Sequence, residues 1–142
     1  MLDGSAGILG VTSDTDVSFL KATSNTLEGI YSITVDTEGE RATVTAATGQ
    51  TTNLAADEVL TINGVNISLD SGMSQSQVQS RINEFTNQTG VVAFTAAGGE
   101  TQLRTSIYGA AASISAISDT ANAVDSSGIG TTELTDIGVD VV

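Results

Sequence analysis

The stretch "LTINGVNISLDSGMSQSQVQSRINEFTNQTG", residues 60–90, decides how the rest of the chain is read. Two apolar runs, "VLTI" and "VNISL", flank Asn63-Gly64. That dipeptide is the strongest short hairpin signal, because a type I′ turn needs positive φ at both central residues. "DSGM" then breaks the strand. Ser74 followed by Gln77 has the form of a capping box, and Val78, Ile82 and Phe85 recur at helical spacing. The spacing predicts a helix over about 74–88, closed by Gly90 in the left-handed conformation. The Val78/Ile82/Phe85 stripe is expected to face the core, with a partner-binding groove as the lesser reading.

Outward from this unit, strict alternation is the main signal. In "GIYSITVDT" Tyr31, Ile33 and Val35 share one face; in "ERATVTAA" Ala42, Val44 and Ala46 do so. With "DTEGE" between them, residues 29–47 read as a hairpin turning on an acidic, Gly-containing loop. "VSFLKAT" (17–23) reads as another strand. "VVAFTAA" (91–97) and "ETQLRTSIYG" (100–109) form a second hairpin around Gly98-Gly99. Residues 110–127 are rich in Ala and Ser: "ASISAIS" reads as a strand, and "DTANAVDS" as a short helical or irregular piece. No internal repeat is visible. The expected fold is α+β, mostly antiparallel β-sheet with the one helix packed on it, forming a single domain over residues 2–142.

Composition narrows the function classes. The chain has 142 residues and no cysteine, which excludes disulfides, a thiolate nucleophile and Cys-ligated zinc. Seventeen acidic residues against four basic ones give a net charge of −13. That field opposes nucleic acid, whose phosphates demand Lys and Arg, and likewise anionic lipid. The acids are scattered singly, so a solvated surface is favoured over an acidic interaction tail. No apolar run approaches a membrane span, and "MLDGSAGILG" lacks the basic n-region and apolar stretch of a secretory signal. Aromatics are only 4%, with no Trp, which points to a core of β-branched residues and alanines.

Chemistry is hard to find. With no His and no Cys, the usual general base and the usual transition-metal ligands are missing. Serines abound, but Lys21 is the one lysine that could activate one. "AAGGE" lacks the Lys and the strand-to-helix setting of a phosphate loop. Asp14 with Asp16, and Asp36 with Glu38 and Glu40, offer hard oxygen ligands for calcium, but neither group has EF-hand spacing, so solvated turns are the expectation. Asn66-Ile67-Ser68 and Asn87-Gln88-Thr89 fit the N-glycosylation triplet, a chance match in so Asn-, Ser- and Thr-rich a chain. No catalytic, metal or cofactor-binding residue is therefore assigned; a binding or structural role remains.

The assembled residues resemble the "IN" motif of bacterial flagellins and hook-associated proteins. The resemblance lies in Ile62-Asn63-Gly64 before a strand, Gly72-Met73-Ser74 opening the helix, Ile82-Asn83 within it, and Thr89-Gly90-Val91 after it. "LDGSAG" (2–7) is similar to the segment that closes the N-terminal rod part of flagellins, and "SSGIGTTELTDIGVDVV" (126–142) to the close of their variable insert. The resemblance implies a central variable domain displayed on an extracellular filament, structural and non-catalytic. Its partners would be other flagellin subunits, joined through rod and core helices that this stretch does not contain. The fragment, with Met1 as an added start, is then expected to be monomeric, with Leu2–Gly7 and Val139–Val142 side by side. Export unfolded would suit a chain with neither proline nor cysteine, and family members carry O-linked sugars on Ser and Thr. The filament cap and the hook-filament junction protein, which share the motif, are the alternative. A calcium-stabilised extracellular adhesion module is the alternative from another class.

Overall fold

A computed structural model describes residues 34–142. They form seven strands and two helices in two antiparallel sheets, an α+β arrangement. Strands β1 (Thr43–Thr45), β5 (Thr101–Thr105) and β4 (Val91–Thr95) make one sheet, in the order β1-β5-β4. Strands β3 (Val65–Leu69), β2 (Glu58–Ile62), β6 (Ser113–Ser118) and β7 (Leu134–Ile137) make the other, in the order β3-β2-β6-β7.

The β2–β3 hairpin turns on Asn63 and Gly64, at φ 48° and 79°, as the type I′ turn requires. Its alternation then places Leu60, Ile62, Ile67 and Leu69 inward, each at most 1% exposed. The β4–β5 hairpin closes as expected around Gly98-Gly99, with Ala96 N–H donating to Glu100 O (2.8 Å). β6 occupies the "ASISAIS" run and pairs with β2, and residues 119–126 are irregular.

Helix α1 (Gln75–Glu84) starts at Ser74, whose N–H donates to the Gln77 side chain (2.9 Å), the capping-box contact anticipated from sequence. Phe85 (φ −98°, ψ 7°) interrupts it, and a single further turn, α2 (Thr86–Thr89), completes the expected span. Gly90 closes that turn at φ 71°, ψ 13°. Val78 and Ile82 are fully buried, and Phe85 packs half-buried against them. Both sheets and α1 contribute to one core of small aliphatic side chains, Leu60, Ile62, Ile82 and Leu103 among them. Each such burial stabilises by about 1.5–3 kcal/mol relative to exposure.

The hairpin expected over 29–47 requires correction where it can be seen. Residues 29–33 lie outside the described residues, as does the 17–23 strand. Val35, expected on the buried face of a strand, is 42% exposed and belongs to no strand. "DTEGE" is not a tight turn. Residues 36–40 run antiparallel to the last residues instead: Asp36 N–H donates to Val142 O (2.7 Å), Val142 N–H to Thr37 O (3.0 Å), and Glu40 bridges Val139. β1 keeps its predicted faces, with Ala42, Val44 and Ala46 buried, but pairs with β5. Peptide groups of residues 36–40 find their partners in the C-terminal segment, which no local pattern in "DTEGE" encodes. The proposed pairing of Val139–Val142 with Leu2–Gly7 involves residues outside the described ones.

β7 was not anticipated. Its inward positions are Leu134, half-buried against the core, and Asp136, whose carboxylate turns toward β1 and accepts the Thr43 N–H (2.7 Å), while Ile137 is 64% exposed. That bond joins the open edges of the two sheets.

Candidate functional site

The residues of the 62–91 motif lie in one hairpin–helix–strand unit, and both of its asparagines, Asn63 and Asn83, do structural work there. Asn63 uses its backbone N–H and both polar atoms of its side chain. Its backbone N–H donates to Ser115 O (2.8 Å), and its Oδ1 accepts the Ser115 N–H (2.9 Å), so one residue lengthens the β2–β6 ladder by a rung. Its Nδ2 donates to Thr89 O (2.9 Å) and Ser113 O (3.2 Å). The turn is thus tied to β6 and to the last turn of α2.

Asn83 acts in the same manner on the other sheet. Its Oδ1 accepts the Ala93 N–H (2.7 Å) and its Nδ2 donates to Ala93 O (3.1 Å). β4 is an edge strand, and these bonds satisfy the peptide groups that would otherwise face outward. Gln79 and Gln75, one and two helical turns earlier, extend the stripe. Gln79 bonds the Thr95 hydroxyl (2.9 Å), and Gln75 donates to Gly99 O (2.7 Å). Apolar residues at i and i+4 bury one face of α1, while amides at the same spacing dock an adjoining face on the sheet edge.

An open cavity of about 270 Å³ lies beside the turn, lined by Asn63, Thr89, Gly90, Thr105, Ser106, Ile107 and Ala111–Ser113. None of these lining residues is titratable, and the Asn63, Thr89 and Ser113 groups there are committed to one another. It offers walls but no acid, base or charge.

The strongest polar cluster was missed from sequence. Glu58, 2% exposed, accepts hydrogen bonds from the Ser118 hydroxyl (2.5 Å), the Ser127 hydroxyl and the Ser127 N–H (2.9 Å). It anchors the 119–130 loop, which also bonds residues 47–55 through Gly128 O and Val124 O. A burial pattern with Glu at the first inward position of β2 reads from sequence as a strand end; only the return of residues 118 and 127 makes it an acceptor site.

Lys21, Asp14 and Asp16 lie outside the described residues. Asp36, Glu38 and Glu40 are exposed, and no group of three acids among the described residues is arranged to hold a metal ion. Asn66 is exposed, with Oδ1 accepting the Thr61 hydroxyl (2.9 Å). Thr89 is 6% exposed and donates to Phe85 O (3.1 Å), so the 87–89 triplet is folded into a helical turn.

Two arginines stack on rings: Arg41 over Tyr108 (4.3 Å) and Arg104 over Phe94 (4.8 Å). Tyr108, Ile107, Ile137, Val141 and Val142 are each more than half exposed. Among the described residues no helix is long and apolar enough to cross a membrane. In comparisons with known proteins, no family model matches the chain and no curated protein matches it significantly.

Proposed function

We propose that the chain is the surface-displayed variable domain of a flagellin-like filament subunit, structural and non-catalytic, exposed outside the cell. The observation that carries this reading is the concerted use of the motif residues. Ile62 is buried, Asn63 ties the turn, Asn83 covers the β4 edge and Gly90 closes the helix. Asn63, Asn83 and Gly90 thus fix a turn, a sheet edge and a helix end within residues 60–93, the structural use that a shared motif requires. The resemblance touches residues 2–7, the 62–91 motif and residues 126–142, so it covers part of the chain rather than all of it. Its partners are other subunits of the same filament, and it needs no metal or cofactor for this role.

A strongly acidic exterior suits crowded display, because like-charged neighbours repel and stay hydrated. The test is immunogold electron microscopy with antibodies raised against residues 2–142. Label along whole filaments is the expected result. Label confined to the tip or the base would assign the chain to the cap or junction class. Label over the cell body alone would overturn the flagellar reading and favour an adhesion module.

A further inference from the structure

The tied Asn63 amide points to a modification site. We infer that Asn63-Gly64 is a spontaneous deamidation site that is open in the unfolded chain and shut by folding, and that the product chain cannot rebuild the docked turn. This is the only Asn-Gly pair in the sequence. Glycine after asparagine leaves the following backbone nitrogen unhindered, since no Cβ shields it. The Gly64 nitrogen bonds to the Asn63 side-chain carbonyl carbon, ammonia departs with the amide nitrogen, and a cyclic imide results. Water then opens the imide at either carbonyl, giving aspartate or isoaspartate. The net change is one water consumed and one ammonia released, without oxidant, reductant or metal.

In the folded protein the same amide is held elsewhere. Oδ1 is bonded to Ser115 N–H (2.9 Å), and Nδ2 to Thr89 O (2.9 Å) and Ser113 O (3.2 Å). Attack requires the side chain to leave three partners on two other elements, so the native rate follows the fraction of molecules in which this joint is open. The products are incompatible with the site. A carboxylate is acceptor-only and would face the Thr89 and Ser113 carbonyl oxygens, which then lose their donor. Isoaspartate also lengthens the backbone inside a two-residue turn whose geometry sets the β2–β3 register. The Asn that makes the joint therefore limits how long the chain can wait unfolded, whatever structure displays it.

The test incubates the full chain at neutral pH, natively and in guanidinium chloride above its unfolding midpoint, and maps Asn63 by peptide mass and isoaspartate content. The expected result is conversion at least about tenfold slower in the folded chain, set by local opening. In denaturant Asn63 should outpace every other Asn, and Gly64→Ala should slow it; that arm needs no folded protein. Equal rates in the two states, or an Asn63 no faster than other asparagines when unfolded, would overturn the inference. Chains converted in denaturant are then refolded. A lower denaturation midpoint, or failure to refold, is expected; a midpoint equal to the unmodified chain's would refute the second half.

Discussion

Asn63 and Ser115 exchange two hydrogen bonds, Asn63 N–H to Ser115 O at 2.8 Å and Ser115 N–H to Asn63 Oδ1 at 2.9 Å. A side-chain oxygen stands where a backbone carbonyl would, so a turn residue enters the ladder of its own sheet. The same side chain reaches α2, which couples hairpin closure to helix docking.

Replacing Asn63 should therefore act through two separable effects. Asn63→Ala loses the amide's bonds and forces alanine to φ 48°, and should cost about 2–3 kcal/mol. Asn63→Gly removes the amide but relieves the backbone, and should recover about 1 kcal/mol of that loss. Urea midpoints of the two variants measure the difference. Identical midpoints would mean that backbone conformation at this turn carries no strain.

Asn83 covers an edge rather than filling a core. Asn83→Ala should cost about 1–2 kcal/mol, because water replaces part of what Ala93 loses. It should also leave β4 able to pair with other chains, so light scattering at raised protein concentration should grow. A variant that is destabilised yet shows no added association would limit Asn83 to intramolecular docking.

Glu58 is a buried acceptor with three donors and no cation among its partners. Glu58→Gln keeps the shape but turns an amide NH2 toward donors. A loss of about 2–3 kcal/mol is expected, with protease cleavage appearing first in the 119–130 loop. Ser127→Ala, which removes one hydroxyl, should lose about 1 kcal/mol. Limited proteolysis followed by mass mapping reports both.

Gly64 and Gly128 share a φ of 79° and differ in their neighbours. A Cβ on Gly64 meets nothing within 4 Å, so Gly64→Ala should cost only the backbone term, about 1–2 kcal/mol. A Cβ on Gly128 would run into the Thr48 carbonyl oxygen, the segment whose Ala47 N–H bonds Gly128 O (2.9 Å). Gly128→Ala should exceed the Gly64 variant by at least about 1 kcal/mol. Thermal midpoints falling equally would show that the 119–130 loop yields without resistance.

Much of the fold was legible because its signals are local. Asn63-Gly64 dictates a turn through φ, Ser74/Gln77 and Gly90 bound the helix through caps, and alternation sorts the faces of β2, β3, β4 and β5. Those effects act within a few residues and need no partner. The pairing of residues 36–40 with 139–142, the Asp136 contact of β7 with β1 and the Glu58 cluster were not legible, because each joins groups tens of residues apart. Of the candidate site, the sequence marked Asn63 and Asn83 as motif letters but not what their amides bond.

By itself, then, the sequence determined the β2–β3 and β4–β5 hairpins, the helix between them, the buried faces of those strands, and the exclusion of thiol and imidazole chemistry, since composition and short-range conformational preference suffice for these. Only the tertiary structure decided which strand edges meet, where two asparagines replace missing peptide partners, and that one carboxylate is buried. Those outcomes depend on satisfying backbone groups and the Glu58 oxygens with donors brought from distant segments, and no local pattern encodes which segment will arrive.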